Sequence, residues 1–425
     1  MNSRTINRLF SEIEKSQSEL TEIFAGIDRT AMHNQQKVLE AMKYCRLSER
    51  HFAASTGYGY NDEGREVCEK IFSEVFRAEK ALVRPQIVSG THAISLCLFG
   101  ILRPGDELLS VTGDPYDTVR SSISSKYAGS LSGSLDEFGI SYRQIEMTEE
   151  GEIDIKKALS SITESTRAVY IQRSTGYARR KALTVSRIKQ AAEALKSRSS
   201  RLAVFVDNCY GEFIEESEPL EAGADIIAGS LIKNPGGGIA PTGGYIAGKE
   251  EYMDKIAARL SAPGIAYEVG SNLGLIRTYL QGLFLAPSVT ANALKGAVLT
   301  SHVLESRGYE VFPKAADERS DIIQAVVLGS RERASAYCKG IQNASPVDSY
   351  AVPEPQQMPG YEDEIIMAAG NFIQGSSIEL SADGPMKEPY IVYQQGGLTF
   401  EHAKTGLLYA LNELEQVSSD TPEVQ

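Results

Sequence analysis

A lysine, an aspartate, a serine, a tyrosine and a Gly-Thr-His turn are the side chains in this sequence whose settings suit chemistry. Lys233 lies in the run ADIIAGSLIKNPGGGIAPTGGYIAG, residues 224–248. A short apolar run ends at Ser230. Lys233 follows, then Asn-Pro, a series of glycines, and a second apolar run. Glycine there lets the backbone turn sharply and come close to a ligand. A lysine so placed can contact a phosphate, carry a surface charge, or supply the amine of a Schiff base. Asp207 ends the apolar run RLAVFV, 26 residues (233 − 207) before the lysine. A carboxylate at such a position needs a partner, because burying it unpaired is costly. It can hold a protonated ring nitrogen or cap a turn. Ser89-Gly90-Thr91-His92 follows LVRPQIV and opens a helical pattern. Free N–H groups at a helix start bind phosphate, and a plain N-cap is an equal reading. Tyr116, in GDPY after DELLSVT, can stack on a planar ligand or simply belong to a proline turn. Ser230 places a hydroxyl three residues before the lysine, within reach of a phosphate held beside it.

In chain order these are a phosphate cradle (Gly90, Thr91, His92, with Ser230), a stacking aromatic, a strand-end acid and a strand-end lysine. That set suits pyridoxal 5′-phosphate. The lysine forms a Schiff base with it, and the acid keeps the pyridine nitrogen protonated. The lysine amine, once released, is placed to act as general base and acid. The rival reading, a nicotinamide site, requires GxGxxG after the first strand, and the sequence has none. GGGIAPTGG follows a lysine and precedes a strand, so it is not a P-loop either.

The elements that must position these residues follow from periodicity. Residues 5–46 carry apolar positions at helical spacing, a stripe that needs a surface of its own subunit or of a neighbour. HFAASTGYGYNDEGRE, residues 51–66, reads as a loop, and a helix follows with Val67, Ile71, Phe72, Val75 and Phe76 on one face. LVRPQIV, DELLSVT, ISYRQIEM, RAVYIQ, RLAVFVDN, DIIAG and GGYIAG read as seven strands with helices between them. Such alternation predicts an α/β large domain, a mostly parallel seven-stranded sheet flanked by helices. Ligands of such sheets bind beyond the carboxyl ends of the strands, where the residues above fall. From about residue 286 the pattern changes: a long helix over 288–308, separated strands YEVF, DIIQAVVL, SSIELSA and YIVYQ, and a closing helix. These predict a smaller C-terminal α+β domain, with SYAVPEPQQMPGYEDE as an extended loop. The division expected is 1–65, an N-terminal helical segment and interface loop; 66–285, the large domain; and 286–425, the small domain.

Composition excludes several classes. The 425 residues carry a formal charge of −13 with no long basic cluster, which argues against nucleic acid as a partner. No apolar run is read as reaching the roughly 18 residues of a membrane helix, and MNSRTINRLFSEIEK lacks the apolar core of a signal peptide. The five cysteines contain no CxxC pair and read as reduced thiols of a cytoplasmic protein. The five histidines lack metal spacing, so no metal site is expected.

TGYGYNDEGRE, SGTHAI, GDPYDT, VDNCYGEF, SLIKNPGGGIAPTGGYIAG and QQGGLTFEHAK together span residues 51–404. On these segments the chain resembles fold-type I pyridoxal-phosphate enzymes of the cystathionine β-lyase/methionine γ-lyase group, in particular the bacterial branch labelled as aluminium-resistance proteins. The resemblance implies Lys233, Asp207 and Tyr116 as the catalytic set, with Tyr116 stacked on the ring and Asp207 on the pyridine nitrogen. It implies Gly90, Thr91 and Ser230 at the phosphate, completed by Tyr58 or Tyr60 from a neighbouring subunit. The active unit would then be at least a dimer, and the family often forms tetramers. The activity implied is carbon–sulfur bond cleavage in a sulfur amino acid by β- or γ-elimination. Other reactions on the same scaffold are γ-replacement and transamination, and a low-turnover cofactor-binding protein linked to metal tolerance is a third reading. Two departures stand out. The loop reads Tyr-Gly-Tyr where better-known γ-lyases have Tyr-Ser-Arg, and residues 334–425, where those enzymes keep the substrate-carboxylate arginine, contain no arginine. Arg173, Arg179 and Arg180, after RAVYIQ, are the alternatives.

Overall fold

The computed structural model describes residues 3–129, 133–178, 180–358 and 363–419. The chain divides into two compact units, residues 33–286 and residues 1–32 with 287–425. The N-terminal segment is thus shared: residues 1–32 go with the C-terminal part, and 33–65 with the large unit.

The large unit is built on seven strands: β1 (Lys80–Arg84), β2 (Glu107–Ser110), β3 (Ser141–Gln144), β4 (Thr166–Gln172), β5 (Ala203–Asp207), β6 (Ile226–Ser230) and β7 (Gly244–Gly248). Their order is β1-β7-β6-β5-β4-β2-β3. The pairs β2–β3, β2–β4, β4–β5 and β5–β6 are parallel, and β7 runs antiparallel to both β6 and β1. This is the mostly parallel sheet that the alternation of strand and helix predicts. The central strands are buried along their whole length, as parallel strands covered on both faces must be. Successive side chains point to opposite faces. Val204 and Val206 join a core with Phe72, Phe76 and Ile188, while Ala203 and Phe205 join another with Leu96, Leu98 and Ile256. Each large apolar side chain so buried contributes about 1.5–3 kcal/mol.

One helix and one strand of this unit differ from the sequence reading. The helix after the 51–66 loop starts earlier, at Glu63, because the Asp62 carboxylate caps it by accepting from the Arg65 N–H at 2.9 Å. The first strand stops at Arg84, before Pro85, rather than running to Val88.

The smaller unit has a six-stranded antiparallel sheet of order β10-β11-β12-β13-β9-β8. Its strands are β8 (Glu310–Phe312), β9 (Gln324–Val327), β10 (Gln356–Gln357), β11 (Glu364–Ala368), β12 (Ser381–Pro385) and β13 (Ile391–Gln395). β10 and β11 fall in and after the stretch read as an extended loop, and β12 starts at Ser381 rather than at Ser376. The N-terminal stripe finds its surface inside the chain: Leu9, Ile13, Leu20 and Phe24 are buried with Val298, Leu407 and Leu411.

The long helix runs over Ile276–Ser306, with Pro287 inside it. It begins some twelve residues (288 − 276) earlier than expected, because the proline is accommodated within the helix instead of starting it. By length and composition this helix is apolar enough to cross a membrane, which corrects the reading of no such run. Its most apolar window is 72% buried in the protein, as in a core helix.

Candidate active site

The register of the parallel strands brings three strand ends together. Gln172 of β4 pairs with Asp207 of β5, and Asp207 pairs with Ala228 of β6, two residues before Ser230. Asp207 is buried and both its oxygens are held: Oδ2 accepts from the Tyr170 hydroxyl at 3.1 Å, and Oδ1 from the Cys209 N–H at 3.1 Å. Beyond β6 the chain turns through Lys233 into a 3₁₀ turn, Asn234–Gly236. Asn234 Nδ2 donates to the Glu212 carbonyl at 3.0 Å, tying this turn to the one after β5. Lys233 Nζ stands 3.9 Å from the centre of the Tyr210 ring. Burial opposes the charge of this amine, but Cys209, Tyr210, Asp207 and Glu212 outweigh it and raise its pKa above the ordinary lysine value.

On the other side of this edge, helix α4 (Gly90–Ile101) starts with Ser89 as N-cap. (Its predecessors in the chain are α1, Ser3–Glu19; α2, Thr21–Tyr44; and α3, Glu63–Phe76.) The Ser89 hydroxyl accepts the His92 N–H at 3.0 Å, and helix geometry gives the N–H groups of Gly90 and Thr91 no intrahelical acceptor. A Cβ on Gly90 would lie 3.4 Å from both the Cys209 sulfur and the Ser230 Cβ. The helix start therefore lies against the end of β6 and the turn after β5. Ser230 is buried, and its Oγ accepts the Ile232 N–H at 3.3 Å. Thr91 Oγ1 lies 2.7 Å from Thr118 Oγ1. His92 is engaged locally: its Nδ1 accepts from the Val88 N–H at 3.2 Å, and burial lowers its pKa.

Tyr116 is half-buried beside these groups. Its N–H donates to Gln172 Oε1 at 2.8 Å, and its ring lies 6.2 Å from that of Tyr177. Gly176, with φ of +56°, would place a Cβ 3.6 Å from the Tyr116 ring. Tyr58 and Tyr60 project outward, 71% and 59% exposed, and stack on each other with centroids 5.4 Å apart. Their loop is fastened from below, where Arg65 donates to the carbonyls of Gly59 and Gly270 at 2.7 and 2.9 Å.

The arginines after β4 are placed differently from the expectation. Arg173 is fully buried and committed to Asn208 at 2.8 Å, Glu215 at 2.8 Å and Glu218 at 3.4 Å. With its fork engaged in that cluster, it is not positioned to receive a substrate carboxylate. Arg180 donates to the carbonyls of Gln172, Ser174 and Lys181, which fixes the loop after β4. Arg179 lies outside the described residues.

Residues 9–415 match the family model described as methionine gamma-lyase. The chain belongs to the methionine gamma-lyase family. A carbon–sulfur lyase involved in aluminium resistance from Clostridium novyi NT is 48% identical and superposes with a TM-score of 0.91, covering 96% of each chain. Bacillus subtilis YnbB is 48% identical over 400 residues, 94% of this chain and 95% of its own. The pyridoxal-5′-phosphate-dependent protein YhfS of Escherichia coli shares the fold at 16% identity, with a TM-score of 0.63 over 92% of this chain and 97% of that one. The architecture is thus that of fold-type I enzymes.

Within this family member, three residues at the site escaped the sequence reading. Tyr170 is a fully buried tyrosine in an apolar strand and looks like core until the register places it beside Asp207. Gln172 carries the backbone of Tyr116. Glu212 is fully buried, with Oε1 accepting from the Tyr245 hydroxyl at 2.7 Å and Oε2 without a partner. Burial, helped by Glu218, pushes its pKa up to about 8.

Proposed function

We propose that this protein is a pyridoxal-phosphate-dependent carbon–sulfur lyase that cleaves a sulfur amino acid by β- or γ-elimination. The observation that carries the proposal is that the buried Asp207 and, three residues beyond the neighbouring strand, Lys233 fall at the carboxyl edge of the sheet, where the start of the helix at Gly90 lies against Ser230. These residues fit the cofactor. Gly90, Thr91 and Ser230 offer donors to a phosphate, Lys233 an amine for covalent attachment, Asp207 a buried carboxylate for a ring N–H, and Tyr116 an aromatic face. When bound, the cofactor supplies an electron sink for the carbanion left when the substrate loses its α-proton.

The chain's own groups do the rest. Tyr170 and the Cys209 N–H fix the Asp207 carboxylate, so its orientation is set before any ligand arrives. The Lys233 amine, once free, takes the α-proton and delivers a proton where the leaving thiolate needs one. The Tyr116 backbone is held by the Gln172 side chain. Tyr58 and Tyr60 are exposed as residues that reach into a neighbouring subunit must be, so the active unit we propose is a dimer, with a tetramer as the fuller assembly, in the cytoplasm.

The test is to supply cystathionine, cysteine and methionine singly, with no 2-oxo acid present. A lyase releases ammonia, a 2-oxo acid and a thiol from one of them. Turnover only when a 2-oxo acid acceptor is added would replace elimination by transamination.

A further inference from the structure

The turn after β5 puts a tyrosine where the backbone favours glycine. The Gly211 N–H donates to the Asn208 carbonyl at 3.0 Å and closes a turn over residues 208–211. Its third residue, Tyr210, has a φ of +71°. Turns with a positive φ at that position favour glycine or asparagine, and a bulky side chain there is strained. The glycine of this turn stands one residue later, at 211, where a Cβ would lie 2.5 Å from the Arg173 Cδ. The turn is enforced from its surroundings. The Asn208 N–H donates to the Ala228 carbonyl at 3.0 Å, and the Asn208 side chain is bound to Arg173 at 2.8 Å and to Glu218 at 3.1 Å. Strained residues persist only under such enforcement, and they gather at functional sites.

The result of the strain is a contact. The Tyr210 ring is set against the Lys233 amine, with Nζ over the ring and 3.9 Å from its centre. The lysine comes from the turn after β6, and Asn234 Nδ2, donating to the Glu212 carbonyl at 3.0 Å, fixes that turn to this one. An ammonium over a ring face is attracted by the ring quadrupole, and a neutral amine is not held in this way. A carboxylate in the same place would bind the ammonium in a charge-assisted hydrogen bond, which is stronger and directional. The ring therefore holds the amine only while it is charged. It takes nothing from Asp207, whose oxygens accept from the Tyr170 hydroxyl and the Cys209 N–H.

We propose that Tyr210 is the seat of the free Lys233 amine, a positioning residue whose ring face holds the ammonium form in place and releases it when the proton is lost. The inference deepens the reading of Lys233 as the cofactor-binding amine and rests on that reading for its functional meaning. An amine kept at one point is aimed before it reacts, and it is let go in the unprotonated form, which is the nucleophile. The other titratable groups whose charge bears on the amine are Cys209, Asp207 and Glu212, the last accepting a hydrogen bond from Tyr245. Burial keeps Cys209 and Tyr245 protonated, so they contribute dipoles rather than charge. All of them remain when residue 210 alone is changed, so a difference between variants at that position reports the ring.

The test uses the full-length apoprotein and reads the lysine directly. Wild-type protein, Tyr210→Phe, Tyr210→Leu and Tyr210→Gly are treated with an amine-arylating reagent over a range of pH, and labelling of the Lys233 peptide is quantified by mass spectrometry. Easier access raises labelling equally at every pH, whereas a weaker hold on the ammonium moves the midpoint of the profile. Tyr210→Leu fills space without a ring face. Its midpoint should fall by about one pH unit, so labelling below the midpoint runs about tenfold faster. Tyr210→Gly should fall likewise, and because glycine accepts the positive φ it serves if Tyr210→Leu fails to fold. Tyr210→Phe keeps the ring face and should keep the wild-type midpoint. An unchanged midpoint in Tyr210→Leu and Tyr210→Gly would overturn the seat, as a purely structural tyrosine would alter thermal stability alone. An equal fall in Tyr210→Phe would overturn it as well, by assigning the hold to the hydroxyl. Binding of pyridoxal phosphate by the wild-type protein, followed by absorbance in parallel, separates the two readings. A lowered midpoint without binding removes the cofactor and leaves the seat, whereas binding with an unchanged midpoint does the reverse.

Discussion

At Asp207 the two carboxylate oxygens are held by different donors, the Tyr170 hydroxyl and the Cys209 N–H, and only the first can be removed by substitution. Tyr170→Phe keeps the ring that packs on Phe205 and deletes one donor to a buried acceptor. The expected cost is about 1–3 kcal/mol in unfolding free energy, measured in urea, together with weaker retention of pyridoxal phosphate. Glu212 makes a pH-dependent prediction. Its folded pKa, about 8, is raised from an ordinary value of 4.5, so the folded state binds this proton more tightly than the unfolded chain. The stability it contributes is complete below 4.5 and is lost as pH rises through 8. Thermal unfolding of the apoprotein should therefore show a melting temperature that falls from about pH 6 to about pH 8.5, with a flatter profile in Glu212→Gln. A profile identical in both proteins would remove Glu212 as its source.

The loop after β4 and the turn after β5 share one ion cluster, so they behave as a single element. Arg173 has no exposed surface and touches both segments. Removing one member of such a buried cluster strands its partners and costs about 3–5 kcal/mol. Arg173→Ala is expected to lower stability by that amount in a urea titration. Arg173→Ala with intact stability and a KM raised alone would return it to the substrate. The strands carrying the site were legible because each is a short apolar run closed by a polar residue, and a parallel sheet lines those polar ends up. Asp207, Ser230 and Lys233 needed only that rule. Tyr170 could not be found that way. It sits two residues before its strand's end, in register with Phe205, and reaches Asp207 as a diagonal neighbour across the ladder. Finding it needs the pairing register, which one sequence does not carry. The same holds for Arg173: Arg-Ser-Thr after a strand looks like an exposed loop, and its partners Glu215 and Glu218 lie some forty residues on. The long helix reads in the sequence as starting at residue 288, directly after Pro287, whereas it runs through that proline from Ile276.

At the scale of the whole molecule, the chain's first helix belongs with its last. Leu9 and Ile13 are buried in the core of the smaller unit, and Arg8 and Arg307 both pair with Glu415. Helical periodicity showed that the N-terminal stripe needed a surface, but not which one, because packing between the first and last helices of the chain leaves no trace in local spacing. Removing residues 1–19 should therefore expose Leu407 and Leu411. The truncated protein is expected to melt lower and to bind a hydrophobic dye, whereas unchanged melting would show that α1 covers nothing essential. The large unit, by contrast, follows a topology that its alternating strands and helices already spelled out, and its site lies where that topology puts ligands.

Lys233 is the amine proposed to hold the cofactor. The most direct measurement is borohydride reduction of the purified protein after incubation with pyridoxal phosphate, followed by peptide mass spectrometry. The visible absorption band should disappear, and the reduced cofactor should be found on the peptide containing Lys233, with Lys233→Ala showing neither band nor label. A wild-type protein that acquires no band, or a label carried by a different lysine, would contradict it.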